Sequence, residues 1–473
     1  MGKYKKLGKN VGLITIGNFA SKIMSFFMLP LYTAVLSTAE YGTADLMTTT
    51  VNLLSPFFTL LISEAVMRFA LDQDVDKGQI FTIGLIVTCG GFIAMCAASP
   101  LVLLSEDMAP YLGYFLAYYF FTCLHLLVSQ FVKGIENVAI YSISGVFQTI
   151  VFIALNLVFL LGLHLGVTGY MLAMLVGEAA TSVLLWIGAG LNGFLVKPAS
   201  IDKNLFRDML RYSVPMIPNS ISWWISNSSD KYLLTMFVGV GVTGVYSAAQ
   251  RIPSLFATVS TIFMSAWQIS AVEDFGSQES RRFYSNIYKQ YSTFNSLVVG
   301  VLICGCELLA SILFSNDFFN GWVLVPVLLI AFEFSAMSAF LGSIYTSAKR
   351  TKMLFVSTMF AAVLNIVLNV MLIPSLGAMG ASLATLASYV SIWALRLWDT
   401  RKIIRLDIEL ASDLISYFIL AGMSIVMIAR VSHRFLIALA LLIVMLFVNR
   451  RVVMKLTEAC LSVLRSALGK AHQ

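Results

Sequence analysis

The chain has 473 residues, of which 59% are hydrophobic and only 12% are charged. Soluble domains typically carry about 25% charged residues, so this composition excludes a soluble protein and predicts an all-α integral membrane protein. The formal net charge is +7. The Lys and Arg residues lie in short intervals between apolar segments rather than on one solvated face, which argues against nucleic acid as a partner.

Apolar segments follow one another along the whole chain, and each is close to the roughly 20 residues that a helix needs to span a membrane. Cutting the chain at its polar intervals predicts about fourteen transmembrane helices, with no soluble domain between them. The predicted spans are, in chain order, 10–36, 43–70, 80–104, 111–132, 139–162, 167–189, 211–238, 242–270, 286–313, 322–348, 353–374, 380–398, 411–429 and 435–448.

The distribution of Lys and Arg tests these spans, because positively charged residues collect on the cytoplasmic side of a membrane. When successive connections between spans are assigned to alternate sides of the membrane, almost all Lys and Arg residues outside the spans lie on one side. Only Arg430 and Arg434 lie on the other side. With an even number of helices, the sequence predicts a multi-pass protein of the cell membrane with both termini in the cytoplasm.

An internal repeat relates the two halves of the chain. Residues 165–173 read LGVTGYMLA and residues 376–384 read LGAMGASLA, at the entrances to the sixth and twelfth predicted spans. Because the copies are six spans apart, both cross in the same direction, which predicts two six-helix bundles related by a parallel pseudo-twofold axis. The alternative is that small residues recur at helix starts by chance. The predicted domains are 1–200, 201–400 and 401–473, the last with two extra helices and a cytoplasmic tail.

Ionisable residues inside the predicted spans need an explanation, since each costs about 2.5 to 3.5 kcal/mol at bilayer depth. They concentrate in the first two spans of each half, and they are Lys22, Asp45, Glu64, Arg68, Asp230, Lys231 and Arg251. Lys22 lies near the middle of the span 10–36, too deep to reach the interface easily. We therefore expect it to face a water-filled cavity.

Competing interpretations stay open for the other charges. Glu64 and Arg68 are spaced i, i+4 and are predicted to form an ion pair, although Arg68 alone could extend to the cytoplasmic edge. Asp230 and Lys231 are adjacent, so they point in different directions, and interfacial anchoring is the alternative to a role in a cavity.

Three isolated carboxylates are candidates for coupling transport to H+ or Na+. They are Glu178, Glu307 and Glu333, in the sixth, ninth and tenth predicted spans. A hydrogen-bonded interior acid is an equally good interpretation of each. His125, in the fourth span, is interpreted as a packing residue.

Proline removes a backbone hydrogen bond and permits a helix to bend. Pro30, Pro215, Pro218 and Pro253 fall in the first, seventh and eighth predicted spans and are therefore predicted hinges. Interrupted helices in corresponding positions of two repeats indicate a transport site.

No enzyme is predicted. The sequence has no G-x-x-x-x-G-K-[ST] phosphate-binding loop, and no loop carries clustered histidines that a soluble substrate could reach. No cofactor and no metal are predicted either, because Cys304 and Cys306 lack the further ligands that a zinc site needs.

Several motifs resemble those of a known family. They are FASKIMSFFMLPLY at 19–32 leading to Glu40-Tyr41-Gly42, SVPMIP at 213–218, and DKYLL at 230–234 leading into GVYSAAQRI at 244–252. Over nearly its whole length the chain resembles the polysaccharide or O-antigen flippases of the multidrug/oligosaccharidyl-lipid/polysaccharide exporter superfamily.

The resemblance implies a V-shaped pair of bundles around a cationic cavity, working by alternating access in a bacterial plasma membrane. The implied substrate is an undecaprenyl-diphosphate-linked oligosaccharide, moved from the inner to the outer leaflet for cell-surface polysaccharide synthesis. The expected ligands of its diphosphate are Lys22, Arg68, Lys231 and Arg251, with Asp45, Glu64 and Asp230 as supporting acids.

The implied partners are membrane lipids, the glycan substrate, a polysaccharide polymerase and glycosyltransferases, and the driving force is an ion gradient or consumption of the product outside. Three other functions stay open. A peptidoglycan precursor flippase also has a cationic interior. A cation-coupled multidrug exporter of the same superfamily usually lacks the last two helices. A glycan polymerase or ligase generally needs a large outer loop, and every outer connection here is short.

We expect Lys22→Ala to abolish export of a lipid-linked intermediate while leaving membrane insertion intact, because the cation would be a partner of the diphosphate rather than of the lipid. The measurement is accumulation of the intermediate in the cytoplasmic leaflet. Unchanged export by this variant would remove Lys22 from the mechanism.

Overall fold

The computed structural model describes residues 26–72, 74–273, 280–348, 350, 352–407, 409–455 and 457–458. Throughout these ranges the regular elements are helices, and no strand is found. The prediction of an all-α protein is therefore confirmed. Lys22 and most of the first predicted span lie outside the described residues.

The residues form two compact units, each with most of its contacts inside itself. The first unit ends at Ser247 and the second begins at Ala248. The domain limits predicted near residues 200 and 400 stay predictions. The helices up to the division are α1 (Leu29–Val35), α2 (Thr38–Phe58), α3 (Ile62–Ala70), α4 (Lys77–Ala98), α5 (Leu112–Gly134), α6 (Val138–Asn156), α7 (Gly166–Gly188), α8 (Lys203–Ser213), α9 (Ile217–Phe237) and α10 (Val240–Ala249).

The second unit continues in the same all-helical style. Its helices are α11 (Arg251–Glu273), α12 (Ser280–Cys304), α13 (Cys306–Leu313), α14 (Val325–Ser347), α15 (Lys352–Leu376), α16 (Ala378–Asp399), α17 (Leu410–Ile428) and α18 (Arg434–Val448).

Many of these helices can cross a membrane. Within the described ranges, 8 helices are long and apolar enough, or up to 10 if each of two bent helix pairs forms one span. Helices also cover every predicted span from the second to the last. The protein is therefore a polytopic membrane protein, and the count of fourteen spans stays a prediction.

The second predicted span, 43–70, is wrong as one continuous helix. α2 ends at Phe58 and α3 begins at Ile62, with a bend of 65° between them. Leu60 and Leu61 between them have φ angles of 53° and 51°. This left-handed backbone is uncommon for residues other than glycine and cannot continue a right-handed helix.

The seventh predicted span, 211–238, begins too early. Residues 203–213 form the separate helix α8, which the side chain of Asp202 caps at its N-terminus. Met209 of α8 joins the apolar core of the first unit, and α8 packs against α3. The polar stretch before the span is therefore part of the folded first unit rather than a linker.

The four predicted hinge prolines lie at helix starts. Pro30 is in the first turn of α1, Pro215 is in a short 3-10 turn before α9, Pro218 is in the first turn of α9 and Pro253 is in the first turn of α11. A proline in a first turn removes no intrahelical hydrogen bond. These residues help to set where helices begin, and bending at them stays a prediction.

Each unit has its own packed interior. In the first unit, Val66, Phe81, Leu127 and Phe131 are fully buried, and the Phe81 and Phe131 rings lie 4.6 Å apart between centroids. In the second unit, α14 packs against α11, α12 and α16, and 78% of its apolar stretch is buried. α14 is thus an interior span that contacts little lipid.

Gly91 of α4 faces the bend between α2 and α3. A Cβ atom here would collide with the Phe58 carbonyl oxygen and lie 2.7 Å from the Phe58 carbonyl carbon. We expect Gly91→Val to separate α4 from α2. The free energy of unfolding of the purified protein should fall by about 1–3 kcal/mol, and its melting temperature should fall with it. Gly90→Val is the control, because a Cβ at Gly90 meets no atom within 4 Å. Equal melting temperatures for the two variants would contradict this account of the bend.

Candidate functional site

A largely buried ion pair joins α2 to α9 within the first unit. Lys231 Nζ donates to Asp45 Oδ2 at 2.7 Å, and the two side chains are only 13% and 10% exposed. Ser247 Oγ of α10 donates to the same carboxylate oxygen at 2.8 Å. Asp45 therefore connects three helices and compensates the charge of Lys231.

The adjacent acid Asp230 turns toward α10 rather than α2. Tyr246 donates its hydroxyl to Asp230 Oδ2, and the backbone N–H of Lys231 donates to Asp230 Oδ1 at 2.9 Å. Asp230 is buried, with 4% of its surface exposed. We call Asp45, Asp230, Lys231, Tyr246 and Ser247 the polar junction.

Glycines let the helices of the polar junction approach closely. A Cβ on Gly244 of α10 would collide with the Thr38 carbonyl oxygen, and a Cβ on Gly42 of α2 would lie 3.0 Å from the Gly244 nitrogen. The two backbones are thus in direct contact, and this proximity brings Ser247 within reach of Asp45. Two motifs named in the sequence analysis, Glu40-Tyr41-Gly42 and GVYSAAQRI at 244–252, supply the two glycines of this contact.

An aromatic layer lies next to the polar junction. Trp224 Nε1 donates to the Thr49 carbonyl oxygen at 2.9 Å, and Tyr232 and Thr50 share a hydrogen bond between their hydroxyl groups. The Trp224 and Tyr232 rings meet edge to face with centroids 5.4 Å apart. Trp224 is therefore held by packing and by the α2 backbone.

The structure does not bring all the predicted cations to this place. Arg68 lies in the last turn of α3, 52% exposed, and its Nη1 donates to Asp72 at 2.7 Å. The predicted ion pair between Glu64 and Arg68 is wrong, because Glu64 instead accepts from Gln130 Nε2 at 3.2 Å. Arg251 is the first residue of α11, in the second unit, and is exposed.

A second polar cluster links α5, α6 and α7. His125 Nδ1 contacts Glu178 Oε2, and Gln148 Nε2 donates to Glu178 Oε1 at 2.9 Å. The interpretation of His125 as a packing residue misses this partnership. Glu178, a predicted coupling acid, is thus held by two polar side chains from neighbouring helices.

The other two candidate coupling acids lie in the second unit in contrasting surroundings. Glu307, at the start of α13, pairs with Arg434 at 2.5 Å and is partly exposed. Glu333, in α14, is fully buried, and Ser296 Oγ of α12 donates to it at 2.5 Å. Glu307 therefore fits an anchoring pair, whereas Glu333 is an interior acid.

Two further charged residues escape the sequence analysis. Arg396 of α16 is 4% exposed and donates to the Ser338 carbonyl oxygen, Ser357 Oγ and Thr358 Oγ1. Asp413 of α17 is 7% exposed. Both lie near the ends of predicted spans, where a charge looks like an ordinary boundary residue. Among the described residues, no group of three or more His, Cys, Asp or Glu side chains could hold a metal ion.

Relatives of the chain were found by sequence. A family model described as "Polysaccharide biosynthesis protein" matches residues 7–268. The chain is 23% identical over 425 residues to an uncharacterized membrane protein of Methanocaldococcus jannaschii, covering 82% of this chain and 97% of that protein. It is 25% identical over 226 residues to a probable low-salt glycan biosynthesis flippase of Haloferax volcanii, covering 46% of each.

The fold is shared with solved transporters. It is similar to a lipid II flippase in an inward closed conformation, with a TM-score of 0.72 and 14% identity over 94% of this chain and 99% of that one. It is also similar to an inward-facing multidrug resistance transporter of the MATE family, with a TM-score of 0.63 and 14% identity over 82% of this chain and 98% of that one.

The family model covers more than half of the chain, and the structural likeness extends the shared fold to nearly all of it. The resemblance predicted from the motifs is therefore confirmed. The chain belongs to the polysaccharide biosynthesis protein family.

Proposed function

We propose that the protein is a flippase that moves a polyprenyl-diphosphate-linked oligosaccharide from the inner to the outer leaflet by alternating access. The observation that carries this proposal is the buried pair between Lys231 and Asp45. The family description and the flippase names of two relatives support the same class of substrate.

Lys231 is suited to receive a phosphate group. An ammonium group has three N–H donors, and among the described residues Asp45 is the partner of its Nζ. Two donors therefore remain for oxygen atoms of a diphosphate. The Asp45 carboxylate keeps the cation in place while no substrate is bound, because an uncompensated charge at this depth is costly.

Exchange of partners would also move helices. When a diphosphate takes over Lys231, one of the polar contacts between α9 and α2 is lost, and Asp45 keeps its contact with Ser247 of α10. The predicted topology puts the polar junction toward the outer end of these helices. Substrate binding would thus weaken an outer closure, which is the differential stabilisation that alternating access needs.

The remaining predicted residues enter this proposal in different roles. Lys22 stays a candidate ligand of the diphosphate. Arg68 is exposed at a helix end, where it would attract the anionic headgroup before entry, and Arg251 stays a candidate ligand in the second unit. Glu178, with His125 and Gln148 around it, is a candidate coupling acid.

A peptidoglycan precursor flippase is the second candidate. The fold similarity to a lipid II flippase over 94% of this chain favours it, and a diphosphate carrier would use the same ion pair. The two candidates differ in the glycan rather than in the charge, so the discrimination requires substrates of defined sugar composition.

The ion pair can be tested separately from its contribution to stability. Asp45→Ala alone leaves Lys231 buried and unpaired, which we expect to destabilise the fold by about 3–5 kcal/mol. The double variant Lys231→Met with Asp45→Asn removes both charges, fills the same space and keeps an acceptor for Ser247. We expect it to fold with near wild-type stability and to lose export, because no cation remains for the diphosphate.

The readouts for this double variant are melting temperature and accumulation of the lipid-linked intermediate in the cytoplasmic leaflet. The matched control is Arg281→Met with Asp407→Asn, a pair that is 58% and 61% exposed and should affect neither readout. Wild-type export by the Lys231→Met, Asp45→Asn variant would show that the pair is structural only.

Substrate class is tested by complementation. We expect the gene to restore surface polymer in a strain that lacks its oligosaccharide flippase and makes a matching glycan repeat, since recognition rests on the shared diphosphate and a polar lumen. Parallel strains carry other defined repeats or lack the peptidoglycan precursor flippase. Rescue of the last strain alone would replace the oligosaccharide assignment by the second candidate.

A further inference from the structure

A column of polar side chains runs through the second unit between α12, α14 and α17. Ser292 Oγ of α12 donates to Asp413 Oδ1 of α17 at 3.0 Å. One turn further along α12, Ser296 Oγ donates to Glu333 Oε1 of α14 at 2.5 Å. Four residues of helix advance about 6 Å, so the two carboxyl groups lie on successive levels of the same column.

The deeper level lacks a hydrogen-bond donor. Glu333 and Asn295 are 0% and 1% exposed, and among the described residues Glu333 Oε2 and Asn295 Oδ1 have no hydrogen-bond partner. Both unpaired atoms are acceptors. A proton on Glu333 turns one of them into a donor, which is the group that this level is missing.

No cation faces Glu333 from the helices packed around it in the described part of the unit. The titratable groups that interact with it are Tyr288 and Tyr291 of α12 and Asp413 and Tyr417 of α17. Arg396 of α16 points away, to the Ser338 carbonyl oxygen and to α15. An ionised Glu333 would therefore be uncompensated inside a membrane, and a bound proton removes that cost.

The shallower level leads to the surface. Asp413 lies in the first turn of α17, and Lys289, which pairs with Glu409 at 2.5 Å, interacts with it from α12. Lys289 and Glu409 line an open cavity of about 660 Å³ together with Arg282 and Arg451. Lys289 therefore connects the lining of this cavity with Asp413, and Asp413 lies one level of the column away from Glu333.

We propose that Glu333 binds and releases a proton that travels between this cavity and the membrane interior through Asp413. In the inward step a hydronium ion in the cavity gives a proton to the Asp413 carboxylate and leaves as water. Asp413 then passes a proton to the Glu333 carboxylate, which leaves Asp413 ionised again. The step needs no oxidant or co-reactant. Proton binding by Glu333 does not depend on the proposed function. The use of this proton to drive export does rest on it.

Proton binding is tested directly on the purified protein in lipid nanodiscs. Infrared spectra recorded across a pH titration should show the C=O band of a protonated carboxyl group that disappears at high pH. Glutamate labelled with ¹³C should shift this band in the wild-type protein, and Glu333→Gln should remove it. A titrating band that the label does not shift, or that persists in Glu333→Gln, would overturn the proposal.

The role of Asp413 is tested by hydrogen–deuterium exchange. The measured quantity is the rate at which the carboxyl band shifts after the protein is transferred to heavy water. We expect Asp413→Asn to keep the band and slow the exchange by about a hundredfold, the range typical of a lost proton-transfer group. Asp208→Asn, at an exposed residue of α8 in the first unit, is the control. Exchange at the wild-type rate in Asp413→Asn would exclude this route, and a band that responds to Na+ at constant pH would assign the site to a metal cation instead.

Coupling to transport is a separate readout. If one proton is exchanged for each substrate, the ratio of substrate between leaflets should change about tenfold per unit of pH gradient, and Glu333→Gln should lose this dependence. Export by the wild type that ignores the gradient would refute coupling. An intact titrating band in a protein that exports no lipid-linked glycan would refute the proposed function and leave the proton site standing.

Discussion

The structure depends on one constraint, which is that a membrane interior cannot hydrate a charge or an unpaired polar group. Lys231 therefore meets Asp45, and Glu178 meets His125. These contacts join helices that are far apart in the sequence. Since lipid tails are as apolar as leucine, polar contacts and close glycine contacts specify which helices are neighbours more strongly than apolar burial does.

The sequence predicts the helical class, the family and the position of most helices, because the length of an apolar stretch is a direct consequence of membrane thickness. It does not predict the bend at Leu60 and Leu61. A left-handed turn at two leucines leaves no local signal, and the space that accommodates it comes from Gly91 on another helix. The helix α8 is missed for a related reason, because a short amphipathic helix beside a proline looks like a polar interval.

For the candidate site, the sequence predicts which residues are important better than it predicts which residues contact each other. Charges within apolar spans are rare, so Asp45, Asp230 and Lys231 stand out, yet Lys231 finds its partner 186 positions away. The i, i+4 spacing does not identify the partner of Arg68. Asp72 is also four residues from Arg68, lies at the exposed end of α3, and pairs with it in place of Glu64. Asp413 lies at the edge of its predicted span, where acids are common and therefore do not indicate a functional site.

The buried cations differ in how readily their partners could be exchanged. Arg396 makes hydrogen bonds to two carbonyl oxygens and two hydroxyl groups on α14 and α15, so an incoming anion would have to replace all of them. Among the described residues Lys231 Nζ has one carboxylate partner, so two N–H groups of its ammonium group can still donate. A residue that must release its partner in each cycle needs few bonds, and one that fixes helices needs many. On this physical ground we interpret Arg396 as a residue that fixes helices in the second unit, and we assign the proposed role of diphosphate ligand to Lys231.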